Sequence, residues 1–389
     1  MKIAILLPLE EKDIKILEEF DKTGRIIDNP GMFLVALLIE FMKHDYKLFA
    51  FSISKSNAYT YIGTKLEIRT IKIGRHGNIR AFLEFRPDIK ALSNAVNEVD
   101  YDIIQAHWCY EYSAAAINAC NDKTIITMHD WPETVSRYLN NYYWRRRLPF
   151  GMKNVYKGNR FVAVSPYIKE CMESIGKNTT LIPNFIDKTK IIDNREEYNF
   201  ESPRIISICN GFNEIKNTKN CIRMFAILRL HIPKATLIMV GSEHGPGQKA
   251  EQWSIENGLA DGIIFKGRIS SENVYIELSK CEIMISTSRE ESFGMPLIEA
   301  MASRCLAVGG KESGAVPWVL DYGRAGLLID VENPEQIAED IVAVLHNRGR
   351  FLQYIERGTE YVKENFLLDA VYNKYNRLYE GFLDDIRQG

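Results

Sequence analysis

The sequence alternates short apolar runs with longer stretches in which apolar residues recur at every third or fourth position. The short runs predict buried β-strands, and the longer spacing predicts amphipathic helices, at 32–44, 217–231 and 334–347. Ten strands are predicted, at 2–7, 47–52, 103–107, 124–128, 160–164, 204–209, 236–240, 262–266, 282–286 and 306–309. Because strands that alternate with helices build βαβ units, we predict an α/β fold with doubly wound parallel sheets.

The strand series restarts near residue 204, which indicates a second domain. The preceding segment, 184–203, is polar and charged and ends in Ser202 and Pro203. This composition is typical of a linker between two Rossmann-like domains. We therefore expect domains at 1–185 and 186–365. The amphipathic C-terminal helix within 366–389 can pack on either domain, including back on the first.

The charge balance and the apolar runs exclude some classes of protein. Lys and Arg number 49 and Asp and Glu number 51, a net charge of −2, which argues against nucleic acid bound over most of the surface. No apolar run reaches the roughly 18–20 residues of a membrane-spanning helix. The apolar start is followed at once by charged residues at 10–13, with no small-residue cleavage site. It therefore predicts a buried strand rather than a signal peptide.

The cysteines predict neither a disulfide framework nor a metal site. They are seven in number, none forms a CxxC pair, and their spacing fits no zinc pattern. We therefore expect a reducing, cytoplasmic compartment and no bound metal. Asp100 and Asp102 have the spacing of a metal-binding DxD, but they directly precede a buried strand and are interpreted as structural.

Glycine-rich phosphate motifs are missing, but another segment has the chemistry of an anion site. No GxxxxGK[ST] occurs, and no GxGxxG follows the first strand. The segment 288–303 places Glu291 on a strand-to-helix loop, Pro296 in the first helical turn and Glu299 at or just beyond that turn. Free backbone amides between the two glutamates suit a diphosphate, and the carboxylates suit sugar hydroxyls. Alternatively, each glutamate merely complements the helix dipole, for about 0.3–1 kcal/mol.

The same segment resembles the signature of family 4 glycosyltransferases. Glu291 and Glu299 enclose Phe293 and Gly294, and Ala300–Ala302 follow. Further similarity lies in Val164–Ser165, in 182–187, in 265–267 and in 326–328. The resemblance implies a GT-B fold of two Rossmann-like domains. It also implies a retaining enzyme that uses a nucleotide-diphosphate sugar, of UDP, GDP or ADP type, without a metal or another cofactor.

The resemblance also implies roles for particular residues. Catalytic roles fall to His129, which would orient the transferred sugar, and Glu291, which would contact its hydroxyls. Lys216 would bind the diphosphate, and Glu299 the ribose. The full set of implied donor-binding residues is Gly31, Lys216, Phe293, Gly294, Met295, Leu297 and Glu299. The first domain would receive the acceptor, and the second would bind the donor.

Two departures from the family pattern leave other functions open. The family's diphosphate-binding arginine is missing near Asn210 or Gly211, and Arg268 or Arg289 is the expected substitute. Trp318 stands where the family usually has Glu. The missing arginine favours one alternative, a non-catalytic nucleotide-sugar-binding partner protein. The other alternative is a GT-B nucleotide-sugar epimerase, although the segment from Glu291 to Glu299 argues against it.

The acceptor side is predicted from strand ends and from one basic stretch. His107 and Trp108 end a strand and are candidate acceptor contacts. In the segment 137–160 basic residues interleave with aromatic ones, and Trp144, Arg145, Arg146 and Arg147 are central. Such a mixture suits a glycan or lipid-linked acceptor that carries phosphate, or the inner face of a membrane. It equally suits a solvated helix with an aromatic inner face. Nucleic acid is not expected as a partner.

Overall fold

The structure is a computed structural model that describes residues 1–26, 33–74, 77–139, 141–195 and 197–388. The chain divides into two compact units. Unit 1 comprises Met1–Pro183 together with Leu368–Gly389, and unit 2 comprises Asn184–Leu367. The chain therefore passes from one unit to the other twice, after Pro183 and after Leu367.

Unit 1 is built on an eight-stranded sheet in the order β3-β4-β2-β1-β5-β6-β7-β8. Its strands are β1 (Lys2–Leu6), β2 (Lys47–Ser54), β3 (Tyr59–Ile62), β4 (Leu66–Lys72), β5 (Ile103–His107), β6 (Thr124–Met128), β7 (Arg160–Ala163) and β8 (Thr180–Leu181). Its first eight helices are α1 (Glu11–Thr23), α2 (Phe33–Lys43), α3 (Gly77–Phe82), α4 (Arg86–Asn97), α5 (Glu111–Cys120), α6 (Pro132–Tyr138), α7 (Tyr142–Lys157) and α8 (Pro166–Ser174). The central strand β1 pairs with β2 and β5, so the connections reverse direction at β1.

Unit 2 contains a six-stranded parallel sheet in the order β11-β10-β9-β12-β13-β14. Its strands are β9 (Arg204–Ile208), β10 (Thr236–Val240), β11 (Ile263–Gly267), β12 (Ile283–Ile285), β13 (Leu306–Gly310) and β14 (Leu327–Ile329). Its helices are α9 (Thr218–His231), α10 (Lys249–Glu256), α11 (Ser271–Leu278), α12 (Met295–Ala302), α13 (Val316–Val319), α14 (Pro334–His346) and α15 (Arg348–Asn365). This strand order is that of the dinucleotide-binding Rossmann fold, with its crevice between β9 and β12.

The last helix, α16 (Leu368–Gln388), belongs to unit 1. Three of its tyrosines, Tyr372, Tyr375 and Tyr379, pack around Phe41 of α2 with ring centroids 5.5–6.4 Å from it. The Tyr379 hydroxyl donates to Gln105 Oε1 of β5 at 3.3 Å, which satisfies a polar group inside the core. Aromatic burial of this kind ties the end of the chain to the sheet of unit 1.

All ten predicted strands occur, and the predicted parallel α/β sheets are confirmed, with one antiparallel strand at the edge of the unit 1 sheet. Strand β3 pairs antiparallel with β4, because only three residues connect them and a parallel crossover needs about a dozen. The two-residue strand β8 is too short to leave a sequence pattern. Asp100 and Asp102 both bind Lys2, through its side chain and its backbone N–H respectively, and so fix the start of β1. Across the described ranges, no helix is both long and apolar enough to cross a membrane.

Candidate active site

The first part of the site lies at the strand-order reversal of unit 2. The loops after β9 and β12 leave the same edge of the sheet, since both strands are parallel. They bring Lys216 and Glu291 together, with Lys216 Nζ 2.6 Å from Glu291 Oε1. The backbone N–H of Arg289 donates to the Ile215 carbonyl at 2.8 Å, and Thr287 Oγ1 donates to the Asn217 carbonyl at 3.2 Å. The two loops therefore form one hydrogen-bonded structure.

Lys216 is held at the start of α9 by asparagines on either side. Its backbone N–H donates to Asn213 Oδ1 at 3.1 Å. Asn217 has a positive φ of 49° and donates from Nδ2 to the Val331 carbonyl at 2.8 Å. Burial lowers the pKa of Lys216, but the Glu291 carboxylate outweighs burial and raises the pKa above its usual range. Lys216 is therefore a fixed positive charge.

The second part is the start of α12. Gly294 precedes the helix with a φ of 95°, a conformation that favours glycine. A Cβ there would lie 3.0 Å from Leu297 Cδ1. Leu297 and Phe293 are buried, and Phe293 packs edge-on against Trp318 and Phe366. Phe293 and Leu297 therefore shape the loop from the core, whereas Met295 is partly exposed beside it.

Glu299 lies in the second turn of α12, four residues after Met295. Its side chain is partly buried, and burial raises the pKa of its carboxyl to about 7. No hydrogen-bond partner of this carboxyl is found within the described ranges. Its charge adds to burial in raising the pKa of Tyr275 on α11, a neighbour that sequence reasoning missed. Among the described residues, Glu299 is therefore a carboxyl group without a fixed hydrogen-bond partner, and its pKa lies near neutral pH.

The two candidate arginines differ in their partners. The Arg289 guanidinium binds Glu332 at 2.6 Å and Glu214 at 2.9 Å. Arg268 is exposed, and the described part of the chain offers its side chain no ion-pair partner. At the position of the missing family arginine, Asn210 Oδ1 instead accepts from the backbone N–H of Ser242 at 3.0 Å. Arg268 is thus the candidate that is not already neutralised.

Unit 1 contains a pair of histidines at two neighbouring strand ends. His107 ends β5 and His129 follows β6, with His107 Nδ1 2.9 Å from His129 Nε2. The Trp108 ring lies 4.4 Å from the His129 ring, and Trp108 has a positive φ of 63°. Burial lowers the pKa of His107 to about 3 and that of His129 well below its usual value. Both imidazoles are therefore neutral at physiological pH, one donating a hydrogen bond to the other.

Beside the histidines lies a buried charged cluster that the sequence did not reveal. Burial raises the pKa of Asp130 to about 6, and Tyr110 donates to it at 3.4 Å. The Arg147 guanidinium lies 4.1 Å from the Tyr110 ring centroid. It donates one hydrogen bond of 2.9 Å to Glu111 Oε1 and forms an ion pair with Glu111 Oε2, also at 2.9 Å. One sequence signal could have indicated the inward direction of Arg147: Tyr143, Arg147 and Gly151 recur at every fourth position on α7 and so share one face of the helix.

This cluster corrects the expected basic surface. Arg147 points inward because it pairs with the buried Glu111, so it does not belong with the exposed Arg145 and Arg146. Trp144 is half-buried against Tyr110 and Tyr143. Gly31 lies outside the described residues. Within those residues, no group of three or more His, Cys, Asp or Glu side chains is arranged to hold a metal ion.

Comparison with known families identifies the family of this chain. Residues 34–190 match the family described as Glycosyltransferase Family 4, and residues 190–361 match Glycosyl transferases group 1. The chain belongs to glycosyltransferase family 4. Two family relatives are an N-acetyl-alpha-D-glucosaminyl L-malate synthase from Bacillus anthracis and a phosphatidyl-myo-inositol mannosyltransferase from Mycolicibacterium smegmatis. The first is 26% identical over 80% of this chain and 84% of its own length, and the second 23% over 76% and 75%.

Solved structures agree with the family in fold. A sucrose-phosphate synthase from Thermosynechococcus elongatus superposes with a TM-score of 0.80 at 15% identity, over 99% of this chain and 100% of its own. The Anabaena protein HepE, in complex with UDP and glucose, superposes with a TM-score of 0.68 at 14% identity, over 98% and 99%. This family 4 glycosyltransferase therefore has the GT-B fold, with one parallel-sheet α/β domain in each unit.

Proposed function

We propose that this glycosyltransferase transfers a sugar from a nucleotide-diphosphate sugar to a glycan or lipid-linked acceptor, with retention of anomeric configuration. The observation that carries the proposal is the Lys216–Glu291 pair beside the start of α12. A cation, a helix N-terminus and a left-handed glycine together provide the chemistry that binds a diphosphate. The UDP and glucose in the HepE structure support a nucleotide-sugar donor.

Each site residue then has one task. Lys216 and the backbone N–H groups at Gly294 and Met295 stabilise the negative charge on the departing diphosphate. Glu299 accepts hydrogen bonds from the ribose hydroxyls, and Glu291 from the hydroxyls of the sugar. The exposed Arg268 is the candidate for a second positive charge at the diphosphate. In unit 1, the neutral His129 contacts the transferred sugar, held in orientation by His107 and Trp108.

The proposed reaction needs no protein nucleophile. The bond between the sugar C1 and the diphosphate oxygen breaks, leaving an oxocarbenium-like sugar. The acceptor hydroxyl attacks C1 from the same face, and its proton passes to the departing diphosphate. Electrostatic stabilisation of the diphosphate is then the main contribution of the protein to the rate. Because the acceptor enters on the face from which the diphosphate leaves, the anomeric configuration is retained.

A donor screen tests this proposal. Melting temperatures are measured with UDP-, GDP- and ADP-sugars, because a ligand that binds only the native state raises the melting temperature. The stabilising donor is then incubated with candidate acceptors, and the anomeric proton of the product is read by NMR. An α-linked product from an α-linked donor is expected. An inverted product, or no stabilisation by any of the three donor classes, would contradict the proposal.

The same experiment separates the two alternatives. An epimerase would convert the donor sugar without any acceptor, and the epimer would appear in the NMR spectrum of donor and protein alone. A non-catalytic partner protein would be stabilised by donor but would neither transfer nor hydrolyse it. A transferase is expected to hydrolyse donor slowly in the absence of acceptor.

We also propose peripheral contact with an anionic membrane, at the cytoplasmic face, through α3 and α7 of unit 1. Ile79 and Phe82 of α3 are 51% and 67% exposed, and the neighbouring α7 presents Tyr142 with exposed Arg145 and Arg146. Exposed apolar side chains beside arginines suit an anionic interface. Vesicles with phosphatidylglycerol are expected to bind the chain, and Arg145→Ser with Arg146→Ser to weaken binding. Unchanged binding would eliminate this contact.

A further inference from the structure

A polar groove runs along the outer helical face of unit 1. It has a volume of about 370 Å³, within the range of pockets that take small ligands. Helices α4 and α7 form its two walls, and α5 lies between them as the floor. Its lining includes Lys90, Asn94, Asn97, Asn118, Lys153 and Lys157.

The groove is separate from the histidine pair. It follows α4 from Arg86 to Asn97, a distance of about 16 Å along the helix. Asn97 ends the helix that leads into the start of β5, and Lys157 ends the helix that leads into the start of β7. His107 and His129 lie at the opposite, carboxyl edge of the same sheet. The groove therefore extends away from the strand ends where transfer is proposed.

The floor is fixed to both walls by hydrogen bonds. Ser93 Oγ of α4 donates to the Ala115 carbonyl of α5 at 3.0 Å. Asn154 Nδ2 of α7 donates to the carbonyls of Cys109 and Tyr110, at the start of α5, at 2.9 and 3.2 Å. Small residues on α5, such as Ala114, keep the floor low. The groove is thus formed before any ligand binds, which reduces the entropic cost of binding.

The groove is strongly basic although the chain as a whole is nearly neutral. Its lining carries four cationic side chains, those of Arg86, Lys90, Lys153 and Lys157, against one carboxylate, that of Glu84. Glu84 binds Arg86 at 2.9 Å at one end. The three lysines are exposed, and no ion pair of theirs is found in the described part of the chain. Lys153 adds to Arg86 in lowering the pKa of the Glu84 carboxyl, but its ammonium group, like those of Lys90 and Lys157, is exposed and available to an anion.

The remaining lining distinguishes between classes of anion. Asn94, Asn97 and Asn118 are exposed, and each amide offers both donors and an acceptor to hydroxyl groups. Phe150, the aromatic residue of the lining, is packed on Phe85 rather than presented as a stacking surface for bases. The exposed apolar residues Ile79 and Phe82, which suit a lipid surface, do not line the groove. Positive charges together with amides that bind hydroxyl groups are the chemistry that recognises a negatively charged sugar chain.

We propose that this groove binds an anionic glycan, a short chain of sugars that carry negative charges. The lysines bind the charges as point cations, and the asparagines bind the hydroxyls between them. The ligand lies along α4, over the floor formed by α5. This site is additional to the proposed transfer site and needs no nucleotide sugar to be occupied.

Calorimetric titration of the full chain with tetragalacturonate tests the proposal, in the absence of any nucleotide sugar. The fully methyl-esterified tetrasaccharide is the matched neutral ligand. Wild-type protein is expected to bind the acid and not the ester. The triple variant Lys90→Ser, Lys153→Ser, Lys157→Ser is expected to bind the acid with an affinity about tenfold lower than that of wild type. A matched triple variant, Lys15→Ser, Lys55→Ser, Lys72→Ser, changes the net charge of unit 1 equally and is expected to bind like wild type.

Several outcomes would overturn the proposal. These are no binding of the acid, equal binding of acid and ester, or equal weakening in both triple variants. Binding of phosphatidylglycerol vesicles that depends on the three groove lysines, without binding of tetragalacturonate, would assign the groove to a membrane instead. The Lys216→Ala variant is expected to bind tetragalacturonate normally, so failure of the donor-site proposal is distinguishable from failure of this one.

Discussion

The ammonium group of Lys216 lies 2.6 Å from the carboxylate of Glu291, although 75 positions separate them in the chain. Both belong to loops that leave the same edge of the unit 2 sheet. A diphosphate that binds Lys216 competes with Glu291 for the ammonium group. We therefore propose that donor binding exchanges one ion pair for another and releases Glu291 to contact sugar hydroxyls.

Removal of the Lys216 charge is expected to abolish most transfer. Lys216→Ala should lower kcat/KM for the donor by about 100-fold or more, because the departing diphosphate loses its main cation. The matched control is Lys219→Ala, one turn further along α9, where the ammonium group is exposed and 3.8 Å from Glu214. Steady-state kinetics of both variants decide the matter. Wild-type turnover in Lys216→Ala would contradict the assigned role.

Glu299 is expected to make stability depend on pH. Burial raises the pKa of this carboxyl in the folded chain to about 7, above its value of about 4.3 in the unfolded chain. The folded state therefore binds the proton more tightly than the unfolded state does. The stability that this binding contributes is lost as pH rises between these two pKa values. Relative to wild type, Glu299→Gln should gain melting temperature as pH rises from 5 to 8. A constant difference across that range would show that the carboxyl is not perturbed.

Donor binding provides a second test of the same residue. The Glu299 carboxylate accepts hydrogen bonds from ribose hydroxyls better than its protonated form does. Wild-type affinity for the stabilising nucleotide should therefore rise from pH 6 to pH 8, beyond the change seen in Glu299→Gln. The variant serves as the control for ionisation of the nucleotide phosphate itself. Parallel pH profiles for wild type and Glu299→Gln would contradict a contact between Glu299 and the ribose.

The histidine pair is expected to weaken unit 1 in acid. Burial lowers the pKa of both imidazoles in the folded chain. Below about pH 6.5 the unfolded chain therefore binds protons at these histidines that the folded chain does not bind. The free energy of unfolding should fall as pH falls below 6.5. His107→Gln should reduce that loss by about 1–2 kcal/mol at pH 5, measured by urea unfolding at pH 7.5 and 5. His231→Gln, at an exposed position, should leave the loss unchanged.

Arg147 is expected to stabilise the fold rather than bind a surface ligand. Arg147→Ala leaves the buried Glu111 carboxylate with the more distant Arg80, at 3.4 Å, and should cost about 3 kcal/mol of unfolding free energy. Arg145→Ala, on the exposed face of the same helix, should change it by less than about 0.5 kcal/mol. Equal stability of the two variants in urea would place Arg147 back on the surface.

Local sequence patterns predicted the parts of this protein that depend on local chemistry. The apolar runs located the central strands, because a strand buried on both faces needs little but apolar residues. Strand β3 escaped notice since it is an edge strand whose residues are mostly exposed. The spacing of Glu291, Gly294 and Pro296 located the start of α12, because the start of a helix also depends on residues that are close in sequence.

Tertiary pairings could not be predicted in this way. The meeting of Lys216 with Glu291 depends on the order of strands in the sheet, which no local pattern specifies. Arg147 lay within a run of three arginines that looked uniform in sequence. Its inward direction follows from Glu111, which comes from a different helix. The raised pKa of Asp130 likewise depends on burial by distant segments.

The return of α16 to unit 1 has a consequence for the order of synthesis. Unit 2 is continuous in sequence and can complete its core as soon as residue 367 has emerged from the ribosome. Unit 1, although translated first, lacks Tyr372, Tyr375 and Tyr379 around Phe41 until α16 appears. At about 5–20 residues per second, the gap between the two parts of unit 1 lasts roughly 10–40 s. The domain made first is therefore the one finished last.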